Sequence, residues 1–183
     1  MTRLAIDHEY LLAVLDKLLR IPSPTGYTDP VVRYVVSELE KHGLKVELTR
    51  RGAIRAIRKG KRAEGARAIV SHVDTLGAQV KQIKDNGRLA VVPIGHWSAR
   101  FAEGARATVF TDSGSYRGSI LPLKASGHTY NEEVDKAPVG WEFVEMRIDA
   151  LARNKEDIER LDIEIGDIIA IDPLPEFLDN GFI

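Results

Sequence analysis

His72-Val73-Asp74 is the stretch of this sequence best equipped for chemistry. In an extended strand, residues two apart point to the same face, so an imidazole and a carboxylate converge there. A histidine that ligates a metal commonly has its second ring nitrogen oriented by a carboxylate or a carbonyl. Asp74 offers both, directly through its side chain or through the local backbone. Gly77, just beyond, permits a tight turn away from such a site. On the tripeptide alone, a surface histidine at a strand end is the simpler account. The chain has no cysteine, which removes disulfides, thiolate metal sites and a cysteine nucleophile. Any metal must be held by His, Asp and Glu, a donor set suited to zinc, cobalt or manganese.

The other candidates read more simply as structure. His8 and His42 fall at expected helix ends, and His42 beside a C-cap is favourable with the helix dipole. His96 sits in a loop before Trp97. His128-Thr129-Tyr130-Asn131-Glu132-Glu133 is polar and rich in potential ligands, and reads as a solvated loop. Asp112-Ser113-Gly114 and Ser23-Pro24-Thr25-Gly26 have ordinary turn composition, and neither forms the G-x-S-x-G elbow of a serine hydrolase. No phosphate-binding glycine motif is present, so nucleotide binding has no support. Arg50, Arg51, Arg55, Arg58, Lys59, Lys61, Arg62 and Arg67 form the one basic cluster, expected as a solvated hairpin face or, second, an assembly contact.

The elements that must carry His72 are an α/β arrangement. Asp7 caps a first helix whose Tyr10, Leu11, Val14, Leu15, Leu18 and Leu19 recur at helical spacing, and Pro22 stops it. Thr28 or Asp29 caps a second helix with Pro30 in its first turn, Val31, Val32, Val35, Val36 and Leu39 on its apolar face, and Gly43 at its end. Strands are expected over Lys45–Thr49, Ala53–Arg58 and Ala66–His72. The last carries the run Ala68-Ile69-Val70 and delivers His72 at its tip, where sites in such sheets lie. From Ala78 the pattern changes. Gln79–Ile83 and Leu89–Ile94 flank an Asn86-Gly87 turn. Further strands are expected over Arg106–Thr111, Tyr116–Leu121, Glu142–Ile148 and Asp167–Asp172, with one helix over Asn154–Leu161. Many short strands between glycine-bearing turns predict a compact β-barrel or sandwich.

Composition bounds the rest. The 183 residues are 44% hydrophobic and 29% charged, with a net charge of -1. That is enough apolar material for a core and shows no basic excess that would point to nucleic acid or a membrane surface. The start of the chain lacks an apolar signal core, and no run approaches the roughly 20 apolar residues of a membrane helix. A cytoplasmic, soluble protein is expected.

In this context His72-Val73-Asp74-Thr75-Leu76-Gly77 resembles the first metal motif of the tetrahedral aminopeptidases, the glutamyl-aminopeptidase or Frv-type family of co-catalytic metal exopeptidases. Leu18-Leu19-Arg20-Ile21-Pro22-Ser23-Pro24-Thr25-Gly26 resembles the family's first helix and S-P-T/S-G turn. Asn86-Gly87 followed by Val92-Pro93-Ile94-Gly95 resembles the opening hairpin of its inserted domain. Ile165-Gly166-Asp167 and Asp179-Asn180-Gly181-Phe182-Ile183 resemble the approach back to its catalytic domain. Tyr116-Arg117-Gly118-Ser119-Ile120-Leu121-Pro122 is similar to the subgroup associated with the N-acetylglutaminylglutamine amide osmoprotectant system.

The resemblance implies a partial zinc-exopeptidase α/β sheet domain over residues 1–76, an inserted small β-barrel-like assembly domain over 77–174, and the start of a return to the catalytic domain over 175–183. It implies that His72 ligates one of two divalent metals, zinc or cobalt, and that Asp74 orients it. A bridging aspartate, a Glu-Glu pair, a further carboxylate and a final histidine would complete the site beyond Ile183. Glu132-Glu133 is not that pair, since it falls in the inserted domain. The implied activity is removal of N-terminal residues from peptides by a homo-oligomer, with a dodecamer built from dimers as the suggested form. The fragment alone is expected to be inactive. An assembly module without catalysis, and a deacylase or amidohydrolase of the same clan, are the alternatives.

Overall fold

A computed structural model describes residues 5–61 and 64–183; Arg62 of the basic cluster and the first four residues lie outside them. The chain divides into two compact units. The first comprises Met1–Ser23, Tyr27–Asp74 and Pro175–Ile183; the second comprises Pro24–Gly26 and Thr75–Leu174.

The first unit opens with helix α1, His8–Arg20, which starts where Asp7 accepts the Tyr10 backbone N–H at 2.9 Å. This satisfies one of the donors a helix start leaves open. Helix α2, Asp29–Lys41, has Pro30 in its first turn, and Thr28 at its cap position makes no side-chain capping bond. It ends as the glycine predicts. Gly43 takes φ +72°, its N–H reaches the Glu40 carbonyl at 2.8 Å, and the Leu44 N–H reaches that of Leu39 at 3.2 Å. That pair of bonds closes a helix end on a left-handed residue.

The helices are fastened by a polar clip. The Tyr10 hydroxyl donates to Glu38 at 3.2 Å and lies 2.8 Å from His42 Nε2, and Lys41 donates to Glu38 at 2.6 Å. A phenol has one proton, so giving it to Glu38 requires His42 Nε2–H to donate to the phenol oxygen. Strands β1, Val46–Leu48, and β2, Ile54–Ala56, follow as an antiparallel hairpin. Its turn is held by the Thr49 hydroxyl accepting from Ala53 N–H at 3.0 Å.

The expected strand over Ala66–His72 is not formed. Among the described residues, no backbone hydrogen bond joins this segment to a neighbour, and Ile69 and Val70 are 98% and 90% exposed. The reason lies in the sequence itself. Adjacent residues in a strand face opposite sides, so two successive apolar side chains describe a strand buried on both faces, as in a covered parallel sheet. Such a strand needs neighbours at its edges and layers above and below, and the described residues of the first unit supply neither.

The second unit is a closed six-stranded barrel in the order β3-β4-β7-β6-β5-β8. Its strands are β3, Gly77–Ile83; β4, Leu89–Ile94; β5, Arg106–Phe110; β6, Ser115–Pro122; β7, Val144–Ile148; and β8, Ile168–Ile171. All neighbours are antiparallel, and the pairing Ala78↔Ile169 closes the ring. Alternate residues point inward. Ala107 and Val109 of β5, Ile120 of β6, and Val144, Met146 and Ile148 of β7 meet Val80, Leu89, Val91 and Ile169 in one core. Gly118 is buried because there is no room for more: a Cβ there would stand 2.3 Å from the Arg147 carbonyl oxygen and 2.9 Å from Met146 Cε. Trp97 and Trp141 pack against the core edge-to-face, with ring centroids 4.7 Å apart.

Two refinements to the expected elements follow. The predicted Asn154–Leu161 helix shortens to α4, Lys155–Glu159, capped by Asn154 accepting from Asp157 N–H at 2.8 Å. The His128–Glu133 stretch is not a loop. It forms a short helix α3, Gly127–Tyr130, running into a 3₁₀ turn over Asn131–Glu133. No helix among the described residues is long and apolar enough to cross a membrane.

Candidate metal-ligand site at His72

His72 lies in a segment outside any helix or strand, with its side chain 81% exposed. Its Nδ1 is 3.1 Å from the Asp74 carboxylate oxygen Oδ1 and 3.0 Å from the Asp74 backbone oxygen. Both are acceptors, so Nδ1 carries the proton and donates. With the proton on Nδ1, the lone pair through which an imidazole binds a metal is the one at Nε2, facing away from Asp74. A divalent metal takes a histidine from that side when a carboxylate or carbonyl holds the other nitrogen. The i, i+2 geometry thus brings the two predicted residues together without a sheet around them.

The motif's far end is anchored in the second unit. Thr75 forms a parallel bridge with Pro24, and Thr25 N–H donates to the Thr75 carbonyl at 3.2 Å. The S-P-T-G turn and the segment after Asp74 are therefore in contact, a pairing no local signal in the sequence encodes. Gly77 is needed for a different reason from the tight turn expected of it. It is the first residue of β3, and a Cβ there would stand 2.7 Å from both the Ile169 carbonyl oxygen and Pro24 Cβ. Close approach, not a left-handed backbone, excludes a side chain. The Gly77 carbonyl accepts from Trp97 Nε1 at 2.9 Å.

The other candidates are used elsewhere or stand alone. His8 begins α1 and is exposed; His42 belongs to the helix clip; His96 and His128 are exposed. Glu132 is paired with Lys136 at 2.5 Å, and Glu133 with Lys124. Asp112-Ser113-Gly114 forms the β5–β6 turn, with the Thr111 hydroxyl accepting from Gly114 N–H at 3.0 Å. Among the described residues, no group of three or more His, Asp or Glu could hold a metal ion. A catalytic zinc takes about three protein ligands. His72 fits as one ligand, and the described residues do not furnish the remainder.

Residues 52–183 match the M42 glutamyl aminopeptidase family. YhfE of Bacillus subtilis (strain 168) is 36% identical over 173 residues, covering 94% of this chain and 50% of that protein. Aminopeptidase APDkam598 from the archaeon Desulfurococcus kamchatkensis superposes with a TM-score of 0.77 at 30% identity, over 90% of this chain and 43% of that one. The TET1 peptidase of Pyrococcus horikoshii, described as assembling into a tetrahedron or a large octahedral shell, has the same fold at 22% identity, with a TM-score of 0.74 over 93% of this chain and 49% of that one. The chain spans about half the length of the relatives it matches. Its fold is that of a partial α/β peptidase domain with a β-barrel, and by sequence and structure the chain belongs to the M42 glutamyl aminopeptidase family.

Proposed function

We propose that this chain supplies the N-terminal part of a metal-dependent aminopeptidase, with His72 as a ligand of one of two divalent metals, zinc or cobalt, and Asp74 as its orienting partner. The observation that carries the reading is the Nδ1 contact with Asp74, which leaves Nε2 presented for a metal. Metals in such a site supply Lewis-acid chemistry at a scissile carbonyl. The remaining ligands and the general base come from polypeptide outside the described residues. On this reading residues 1–76 and 175–183 belong to the catalytic domain and 77–174 to an inserted assembly domain. The protein works on free-amine peptides in the cytoplasm, as a homo-oligomer.

The test uses a protein of the relatives' full length carrying this chain as its first half. His72→Ala should abolish stoichiometric metal at one of two positions by elemental analysis, and lower release of N-terminal residues by at least roughly a hundredfold, the scale seen when a metal site is disturbed. Asp74→Asn should keep the metal but weaken it. Unchanged metal content and activity in His72→Ala would sink the proposal. Turnover of N-acylated peptides in place of free-amine ones would favour a deacylase instead. The 183-residue chain alone should show neither tight metal nor activity. An assembly module without catalysis is a second reading, favoured by the completeness of the barrel's own core. A full-length protein that oligomerises but binds no metal would establish it.

A further inference from the structure

The stretch His72-Val73-Asp74 ends where the barrel's own contacts begin. The next three residues, Thr75, Leu76 and Gly77, are each held by a different part of the second unit. The Thr75 carbonyl accepts from Thr25 N–H at 3.2 Å, and Thr75 bridges Pro24. Leu76 lies over Gly95 so closely that a Cβ there would stand 2.6 Å from Leu76 Cδ2. The Gly77 carbonyl accepts from Trp97 Nε1 at 2.9 Å. Two of these holds, Gly95 and Trp97, come from one short corner that follows β4.

Trp97 brings to this corner something a phenylalanine would not. Either ring would fill the edge of the barrel core, where Trp97 is partly buried. Only the indole carries a donor, and a partly buried indole N–H needs an acceptor. It takes the carbonyl of Gly77. Trp141 braces Trp97 in turn. The two rings meet edge-to-face, and Trp141 Nε1 donates to the Trp97 carbonyl at 3.3 Å. The two indoles thus form a chain of donors that ends on the backbone three residues past Asp74.

Asp74 supplies both acceptors for the His72 Nδ1 proton, its carboxylate and its own carbonyl. That carbonyl belongs to the planar peptide shared with Thr75. Fixing Thr75 and the two residues after it therefore limits the directions in which the Asp74 carbonyl can point. We propose that Trp97, braced by Trp141, is a positioning residue for the metal motif. It holds residues 75–77 so that Asp74 keeps the proton on His72 Nδ1 and leaves Nε2 for the metal. Every contact of this hold lies inside the second unit, and its effect reaches Asp74 along the chain. The inference rests on the reading of His72 as a metal ligand and adds a residue that orients it from a distance. A ligand whose supporting groups are already locked by packing and hydrogen bonds has less ordering left to do when it binds.

The test reads the His72 ring directly, by nitrogen-15 NMR of the 183-residue chain in alkaline buffer, where imidazoles are neutral. Wild type should carry the proton on Nδ1, whereas a free histidine favours Nε2. Trp97→Phe keeps a ring at the core's edge and removes the donor. It should move the His72 signals toward those of a free histidine. In a protein of the relatives' full length it should weaken one metal roughly tenfold by chelator competition, the low end of the cost of losing an orienting partner. Trp141→Phe should move both readouts the same way by less, and it carries the test if circular dichroism shows Trp97→Phe unfolded. Met146→Ala weakens the barrel core without touching residues 75–77, and should leave the His72 signals as in wild type. Wild-type signals in Trp97→Phe would overturn the positioning role and leave His72 standing as a ligand. So would a shifted ring with unchanged metal affinity. An equal shift in Met146→Ala would assign the effect to barrel stability and overturn the inference. A wild type with its proton on Nε2, or a full-length His72→Ala that keeps both metals, would remove the ligand reading and the inference with it.

Discussion

The two units are built from similar residue types and arrive at opposite ends of self-sufficiency. The barrel closes on itself, so no strand edge is open and every inward side chain meets another across one core. In the first unit, Val31 is the one buried apolar side chain among the described residues, and its most apolar segment lies exposed. Closure satisfies backbone groups and apolar faces within about a hundred residues of chain. An open sheet layered with helices needs distant sequence to do both. A partial α/β domain therefore keeps its helices and one hairpin, while the barrel is complete in its own strands.

The largest consequence is in local stability. Amide hydrogen exchange should show barrel strands β3 to β8 protected to the global unfolding limit, with residues 66–72 exchanging near the rate of unstructured chain. The exchange rates should differ by several orders of magnitude, because the first class opens only with the whole barrel and the second has no bonds to break. Equal protection in the two regions would erase the comparison.

The same contrast should appear in side-chain truncations. Met146 is fully buried at the barrel centre. Met146→Ala should cost about 2–5 kcal/mol by denaturant titration of the barrel transition. Ile69→Ala should leave this chain's stability unchanged, since Ile69 is already solvated. In a protein of the relatives' full length it should become costly, which would show directly that the missing partner of this strand lies in the other half.

Local signals made most of the elements legible before any coordinates. Asp7 with the leucine spacing placed α1, Gly43 placed the end of α2, and Asn86-Gly87 placed the β3–β4 turn, where Gly87 takes φ +73°. His72 and Asp74 were legible because two residues apart is a local geometry. What the sequence did not disclose is non-local. The Ala78↔Ile169 pairing that closes the barrel and the Thr25–Thr75 bond both join distant segments. Gly77 was legible as special, and its reason was not, because the crowding comes from Ile169 and Pro24. The strand expected at Ala66–His72 failed for the converse reason: its pattern specifies partners that the described residues do not supply.

The smallest effect concerns Asp167. Asp167 accepts the Glu164 N–H at 2.8 Å, yet burial first, and then Asp112 and Asp162, raise its carboxyl above the ordinary range. A carboxyl raised on folding binds its proton more tightly in the native state than in the unfolded chain. Stability therefore falls as pH climbs from the unfolded value through the folded one, and the loss is complete above the latter. Asp149 works in the opposite sense. The hydrogen bond from Arg106 holds its carboxyl below the ordinary range, so its contribution is present at neutral pH and is lost on acidification. Asp167→Asn keeps an oxygen to accept the Glu164 N–H and removes the charge. It should raise the barrel's melting temperature slightly at pH 7, and the gain should vanish as the pH falls below the range in which Asp167 ionises. A gain that persists unchanged into acid would mean that the charge at Asp167 is not what strains the loop. A loss at pH 7 would mean that the Glu164 contact outweighs the repulsion from Asp112 and Asp162.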